Sequence, residues 1–135
     1  KYAARLGGAT NHRMRLDDAV LIKDNHIAVA GSVTAAINGA KTAGHSPIEV
    51  ECDTLDQVRE ALEAGVDALL LDNMTLDQLR EAVALIDGRA RSEASGGVTL
   101  ETVRAIAETG VDSISIGRIT QSAPAVDIGL DWQTD

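Results

Sequence analysis

The stretch Thr54-Leu-Asp-Gln-Val-Arg-Glu-Ala61 decides the fold, because the chain contains it twice. It returns 21 residues later as Thr75-Leu-Asp-Gln-Leu-Arg-Glu-Ala82, with seven of eight positions identical. Both copies have the signature of a helix start: Thr as N-cap, Asp in the first turn and Gln three positions after the Thr. A looser copy, Thr99–Ile106, follows, and Gly65 and Gly110 are placed to end helices. The repeat therefore predicts three similar helices.

Short apolar runs of strand length alternate with these helices. They lie at Ala19–Ile22, Ile48–Cys52, Ala68–Leu71, Ser92–Ala94 and Ser113–Ile116. Helices also fit residues 33–42 and 100–108. Because a helix joins consecutive strands, the strands should be parallel. The pattern predicts an α/β fold, either a (β/α) barrel or a doubly wound sheet.

The number of βα units indicates a partial barrel. About five units are visible, too few to close an eight-stranded barrel of roughly 250 residues. The chain has 135 residues and opens at Lys1 without Met or a signal peptide. We therefore expect residues 1–135 to be a single domain, the C-terminal part of a larger TIM-like barrel.

Composition excludes several classes of function. Aromatic residues make up 1% of the chain, so the stacking platforms of single-strand nucleic-acid binders are missing. A net charge of −9 also argues against a nucleic-acid partner. No apolar run approaches the ~20 residues that span a bilayer, so no membrane partner is expected. Cys52, the only cysteine, excludes an intrachain disulfide and fits a cytoplasmic location.

Charge is distributed unevenly along the chain. Residues 1–23 carry a net charge of +3, whereas the remaining 112 residues sum to −12. A basic segment on an acidic body indicates a local site for an anion. The alternative is a solvated basic face, which is the more common fate of a charge run.

Polar residues end the predicted strands, where parallel α/β folds place their chemistry. The five ends carry Lys23-Asp24-Asn25-His26, Glu51-Cys52-Asp53, Asp72-Asn73, Ser95-Gly96-Gly97 and Gly117. Side chains alternate along residues 48–53, so Glu49, Glu51 and Asp53 share one face. The apolar residues between them should meet the helices, which leaves the carboxylates pointing into the barrel.

Each of these residues also has a structural interpretation. Asp24 and Asp53 follow strands, where an acidic residue is most often a helix cap or a loop end. The Ser-Gly-Gly run could be a plain turn, and a structural polar network competes with hydroxyl or metal binding for Glu51 and Asp72. Lys23 is harder to explain structurally, because a buried lysine needs an anionic partner or a chemical role.

Several motifs follow one another in a distinctive order. They are Asn11-His12-Arg13, Leu21-Ile22-Lys23-Asp24-Asn25-His26, Glu49-Val50-Glu51, Leu70-Leu71-Asp72-Asn73, Glu93-Ala94-Ser95-Gly96-Gly97 and Asp127-Ile128-Gly129-Leu130-Asp131. Together they resemble the quinolinate phosphoribosyltransferase family, which makes nicotinate mononucleotide for NAD biosynthesis. The resemblance implies that an N-terminal α/β domain, the first barrel strands and an Arg-Lys-Thr motif lie upstream.

The resemblance also implies roles for individual residues. His12, Arg13 and Lys23 would hold the carboxylates of quinolinate. Glu51 and Asp72 would bind ribose hydroxyls of phosphoribosyl pyrophosphate, and with Lys23 they are the expected catalytic residues. The 5′-phosphate would lie against Ser95, Gly96, Gly97 and Gly117. Mg²⁺ would arrive with the pyrophosphate of this substrate, and the full-length protein would be a homodimer or a higher homo-oligomer.

The chain departs from the family pattern at several positions. Ala9 replaces a third Gly, Arg15 stands where Gly is common, and Arg118 and Gln121 replace Ala and His near the phosphate loop. A close variant of this hypothesis is that the chain belongs to a related paralogue that acts on another pyridine carboxylate. Two other functions stay open: a Schiff-base lyase or aldolase with Lys23 as nucleophile, and an inactive phosphate-binding barrel fragment. Under each of these hypotheses, we expect the isolated 135-residue chain to be inactive in phosphoribosyl transfer.

Overall fold

The computed structural model describes residues 1–132, which form one parallel sheet with helices between its strands. The strands are β1 (Val20–Ile22), β2 (Ile48–Cys52), β3 (Ala68–Asp72), β4 (Arg91–Ser95) and β5 (Ser113–Ile114). The helices are α1 (Tyr2–Leu6), α2 (Asp24–Ala30), α3 (Val33–Thr42), α4 (Leu55–Ala64), α5 (Leu76–Ile86), α6 (Val103–Ala107) and α7 (Arg118–Gln121).

The strands lie in the sheet in chain order, β1 to β5, and every pair is parallel. A doubly wound sheet reverses its strand order at a switch point, whereas a barrel adds each strand beside the last. The observed order confirms the predicted α/β class and the five βα units of a partial barrel. Among residues 1–132, β1 and β5 each pair with a single neighbouring strand.

Reciprocal caps begin α4 and α5, as the repeat predicts. The Thr54 hydroxyl accepts a hydrogen bond from the Gln57 N–H at 3.3 Å, and the Gln57 side chain accepts one from the Thr54 N–H at 3.1 Å. Thr75 and Gln78 repeat the arrangement at 3.3 and 2.9 Å. Gly65 then ends α4 in the left-handed conformation, with φ +75°. Local sequence alone therefore specifies both helices.

The third copy of the repeat forms a shorter helix than predicted. Residues 100–102 form a turn, and α6 covers only Val103–Ala107 instead of residues 100–108. Thr102 replaces the capping Gln of the other copies, and its hydroxyl accepts the Thr99 N–H at 2.9 Å, which closes the turn. The Thr109 hydroxyl donates to the Ile106 carbonyl at 2.6 Å and takes an acceptor that a longer helix would use. Gly110 therefore lies beyond the helix end instead of capping it.

The core lies between the sheet and the helices and is aliphatic. Val50, Cys52, Leu69 and Leu71 have no exposed surface and pack in one cluster with residues of α3, α4 and α5. This confirms the predicted alternation in β2, because Glu49 and Glu51 then face the other side of the sheet. Burial, reinforced by neighbouring carboxylates, raises the pKa of the Cys52 thiol to about 12. Within residues 1–132, no helix has the length and apolar character needed to cross a membrane.

Aspartates tie the starts of neighbouring strands together. Asp67 precedes β3 and accepts a hydrogen bond from the Ile48 N–H of β2 at 2.7 Å. Asp112 precedes β5 and accepts bonds from the N–H and hydroxyl of Ser92, at 2.8 and 2.7 Å. These bonds, from the backbone N–H first, lower the pKa of Asp112. The two aspartates therefore help to hold the parallel register at the amino ends of the strands.

We expect the free energy of unfolding of Asp112→Asn to decrease less than that of the wild type as the pH is lowered. Because the folded pKa lies below the unfolded value, the stabilisation is fully present above about pH 4 and is lost as the pH falls through the folded pKa. Urea unfolding at pH 7 and at stepwise lower pH measures the effect, with the exposed Asp127→Asn as control. Parallel acid limbs for wild type and Asp112→Asn would rule out this contribution.

Candidate active site

An ion pair lies at the carboxyl ends of β1 and β2. Lys23 follows β1 directly and is the N-cap residue of α2, so the strand-to-helix turn positions its side chain. Its Nζ lies 3.1 Å from Oε2 of Glu51, whose side chain is only 14% exposed, against 50% for Lys23. The structure thus joins Lys23 to a carboxylate and leaves half of the lysine side chain accessible to a ligand.

Three carboxylates meet beside this lysine. Oxygens of Glu51, Asp53 and Asp72 all lie within 4.8 Å of one another, at the ends of β2 and β3. The sequence predicted Asp53 mainly as a cap or loop residue. In the structure it lies beside Glu51 and Asp72 because the ends of β2 and β3 are adjacent. Such oxygen donors suit the hydroxyls of a sugar or a hard cation such as Mg²⁺.

A glycine turn follows β4 and packs against the end of β3. The Asn73 N–H donates to the Ser95 carbonyl at 3.0 Å, and Gly96 adopts φ +94°. A Cβ at Gly96 would lie 2.2 Å from Oδ1 of Asn73 and 2.8 Å from its backbone nitrogen. The close approach and the left-handed backbone both require glycine at this position.

The expected phosphate-loop residues line one cavity of about 810 Å³. Ser95, Gly96, Gly97 and Gly117 all contribute to its wall, together with Arg118 and Gln121. The cavity therefore combines glycine backbone with a guanidinium that is exposed to solvent. Arg118, a departure from the family pattern, lies where it can meet an anion bound in this cavity.

His12 and Arg13 lie away from Lys23. Nε2 of His12 lies 3.1 Å from Oε2 of Glu49 and 3.7 Å from Oε1 of Glu93. Arg13 donates to the Ala19 carbonyl at 3.2 Å, near the amino end of β1, whereas Lys23 follows its carboxyl end. The structure does not bring the three expected quinolinate ligands into one cluster, so their shared role stays a prediction.

Sequence reasoning assigned no role to the two glutamates around His12. Both are buried, and burial first, then the charge of Glu93, raises the pKa of Glu49 despite the opposing effect of His12. The alternation along β2 already placed Glu49 on the inward face. Glu93 lies between serine and alanine on β4, so no alternation of polar and apolar residues indicates which face of the sheet it occupies. Only the register of the strands brings the two carboxylates to one histidine.

We expect Gly96→Ala to destabilise the protein. The new methyl group collides with Asn73, and the left-handed backbone adds strain of roughly 1–3 kcal/mol. Gly39→Ala is the matched control, because a Cβ there meets nothing within 4 Å and a helical Gly→Ala change is neutral or stabilising. Thermal unfolding of both variants measures the effect. A Gly96→Ala protein that melts like wild type would contradict the close packing.

The strand order and the polar strand ends define a segment of a (β/α) barrel. Residues 1–131 match the family described as "Quinolinate phosphoribosyl transferase, C-terminal domain". Because this match covers nearly the whole chain, the chain belongs to that family.

Curated relatives and solved structures agree with the family. The chain is 47% identical to a probable nicotinate-nucleotide pyrophosphorylase of Bacillus subtilis, over 97% of this chain and 46% of the relative. It is 44% identical to the nicotinate-nucleotide pyrophosphorylase of Mycobacterium leprae, over 97% and 48%. The structure of the Ehrlichia chaffeensis nicotinate-nucleotide pyrophosphorylase matches with a TM-score of 0.91 and 48% identity, over 97% of this chain and 48% of that one. The chain thus spans about half the length of these relatives.

Proposed function

We propose that this chain supplies the barrel part of a quinolinate phosphoribosyltransferase. The reaction transfers the phosphoribosyl group of phosphoribosyl pyrophosphate to quinolinate and yields nicotinate mononucleotide, pyrophosphate and CO₂. The observation that carries the proposal is the Lys23–Glu51 pair beside Asp53 and Asp72, at the same sheet end as the glycine turn. A sugar, its phosphate and an anionic acceptor need these groups side by side.

Glu51 and Asp72 act on the ribose. Their oxygens lie close enough together to accept hydrogen bonds from two neighbouring hydroxyls of one sugar ring. As pyrophosphate leaves, positive charge develops at the anomeric carbon, and carboxylates fixed near it stabilise that charge more than they stabilise the neutral sugar. Magnesium enters as part of the pyrophosphate substrate, and the hard oxygen donors here are compatible with it.

The turn at residues 95–97 and Gly117 receive the 5′-phosphate. Asp72 pairs with Ser95 across β3 and β4, so the ribose and phosphate groups of one substrate would lie on adjacent strand ends. Backbone N–H groups of a glycine turn can approach a phosphate without interference from a side chain. Arg118 lines the same cavity and adds a positive charge.

The pyridine dicarboxylate approaches the ribose from the lysine side. Lys23 holds a carboxylate near the anomeric carbon, whereas His12 and Arg13, to which the resemblance assigns the same substrate, lie on Glu49 and on the Ala19 carbonyl. The pyridine nitrogen attacks the anomeric carbon as pyrophosphate departs. As CO₂ leaves, the electron pair of the carbon–carboxylate bond stays on the adjacent ring carbon, where the positive charge of the ring nitrogen stabilises it, and a proton then adds to that carbon.

The Schiff-base alternative has less support. A nucleophilic lysine needs an apolar pocket or a second cation to free its amine, whereas Lys23 is half exposed and paired with Glu51. A half-exposed lysine that is paired with a carboxylate keeps its positive charge and suits the binding of an anionic ligand. Borohydride trapping of a carbonyl substrate on Lys23 would revive the alternative.

We also propose a homo-oligomer in the cytoplasm. Large apolar side chains are exposed on several elements, including Tyr2, Leu16, Val29 and Leu100, each at least 78% exposed. Exposed apolar side chains are the groups that an interface between subunits would bury. The buried, unpaired Cys52 suits a reducing compartment. Sedimentation of the complete natural polypeptide tests the oligomer.

The proposed function predicts which form of the protein is active. The complete natural polypeptide should convert quinolinate and phosphoribosyl pyrophosphate to nicotinate mononucleotide, measured by chromatography. The 135-residue chain alone should show negligible turnover, because its described sheet is open and barrel sites draw on several strands. Nicotinate, which lacks the second carboxylate, is the control substrate. Absence of product from the complete polypeptide, or equal use of nicotinate, would refute the proposal, and normal turnover by the 135-residue chain would refute the expected incompleteness.

A further inference from the structure

A polar cluster lies on the sheet face opposite the helices. It consists of His12, Glu49 of β2 and Glu93 of β4, with ligand atoms within 4.8 Å of one another. Glu49 and Glu93 expose only 9% and 5% of their surface, whereas the His12 side chain is 34% exposed. Two buried carboxylates therefore hold a histidine that solvent and ligands can still reach.

The two carboxylates are themselves fixed. Glu93 accepts hydrogen bonds from the hydroxyls of Ser113, at 3.2 Å, and Ser115, and Arg91 lies 3.9 Å away. Glu49 has one oxygen on His12, and its other oxygen is buried without a hydrogen-bond partner among residues 1–132. Neither side chain can turn away without burying a carboxylate that has lost its partner.

We propose that Glu49 and Glu93 are positioning residues, which fix Nε2 of His12 as a donor and leave Nδ1 to bind a carboxylate of the pyridine substrate. The inference rests on the proposed function. An ionised carboxylate accepts hydrogen bonds and does not donate them, so Nε2 carries the proton when Glu49 is ionised. In the part of the chain that the structure describes, every hydrogen bond of this ring involves Nε2.

The charges of the cluster suit an anionic ligand. A bound carboxylate also only accepts, so Nδ1 carries a proton in the complex and the ring is an imidazolium. Glu49 and Glu93 then face two cations, His12 and Arg91. The four charges balance, so the buried glutamates do not repel an incoming dianion. They act through the histidine, as carboxylates that orient ligand-binding histidines do elsewhere.

Histidine NMR tests the positioning without any assay of turnover. In the complete natural polypeptide labelled with ¹⁵N-histidine, the ring signal lost in His12→Gln identifies His12. We expect a proton on Nε2 in the wild type, loss of this preference in Glu49→Ala, and its return in Glu49→Gln, whose amide oxygen still accepts. An unprotonated Nε2 in the wild type would overturn the proposal, as would a wild-type signal in Glu49→Ala.

Kinetics then test the consequence for the substrate. We expect Glu49→Ala to raise the KM for quinolinate at least tenfold, with the KM for phosphoribosyl pyrophosphate changed less than threefold and partial recovery in Glu49→Gln. Glu63→Ala, on the exposed side of α4, is the matched control. Equal changes in both KM values would show a structural role and overturn the inference. If the wild type makes no nicotinate mononucleotide, the proposed function fails, and the NMR result decides the positioning separately.

Discussion

Lys23→Ala is expected to lower turnover of the complete natural polypeptide by about 10²- to 10³-fold while the fold survives. That is the usual loss when one charged group that stabilises a transition state is removed. Lys23 pairs with Glu51 and keeps half of its side chain accessible, so it is free to hold a substrate carboxylate as well. Steady-state kinetics with both substrates measures the loss.

Stability and a second lysine provide the controls. Removal of Lys23 leaves the mostly buried Glu51 carboxylate without its cation, which costs roughly 1–3 kcal/mol, so the melting temperature of Lys23→Ala should fall while the protein stays folded. Lys41→Ala, on α3, removes an exposed lysine that caps the Ala64 carbonyl and should leave turnover unchanged. Unfolding of the Lys23→Ala protein would identify a structural residue, and wild-type turnover would remove Lys23 from the mechanism.

Glu51→Gln and Asp72→Asn should each reduce kcat/KM for phosphoribosyl pyrophosphate by about 10²-fold. The amides keep the shape of the side chains but remove the negative charge that stabilises a developing ribosyl cation. Quinolinate affinity should change less, above all in Asp72→Asn, since Asp72 has no ion pair with Lys23 in the described residues. Kinetics in which each substrate is varied in turn separate the two effects.

An exposed carboxylate on a helix serves as the reference for these variants. Glu63→Gln removes the same charge from α4, away from the strand ends, and should leave both kinetic constants unchanged. A defect confined to quinolinate affinity in Glu51→Gln and Asp72→Asn would assign these carboxylates to the other substrate. Equal losses for both substrates would indicate a general distortion of the site.

The fold could be predicted because its signals are local. The capping boxes of Thr54 and Thr75 and the apolar runs of β2 and β3 are properties of short segments, and they formed as expected. Helix α6 was predicted too long. Thr102 stands where the other two copies of the repeat have the capping Gln, and it closes a turn instead of capping a helix. Helix ends depend on which side chain satisfies a few backbone groups, and one substitution changes that choice.

The site could be predicted only in part. The resemblance and the strand ends singled out Lys23, Glu51 and Asp72, and the structure places an ion pair and a carboxylate cluster there. Asp53 joins this cluster although its sequence context is that of a loop. The grouping of His12 with Arg13 and Lys23 was not found in the structure, because His12 contacts Glu49 whereas Arg13 donates to the Ala19 carbonyl near the opposite end of β1 from Lys23.

Sequence by itself determined the βα repeat, the parallel strands and the residues offered at each strand end, since periodicity and capping act within about ten residues. Tertiary structure alone decided which of those residues meet. The register of β2, β3, β4 and β5 brings Glu49 and Glu93 to His12, and packing of Asn73 against Gly96 shapes the turn after β4. These contacts join residues 20 or more positions apart, and their energies depend on distance and burial, which no local pattern encodes.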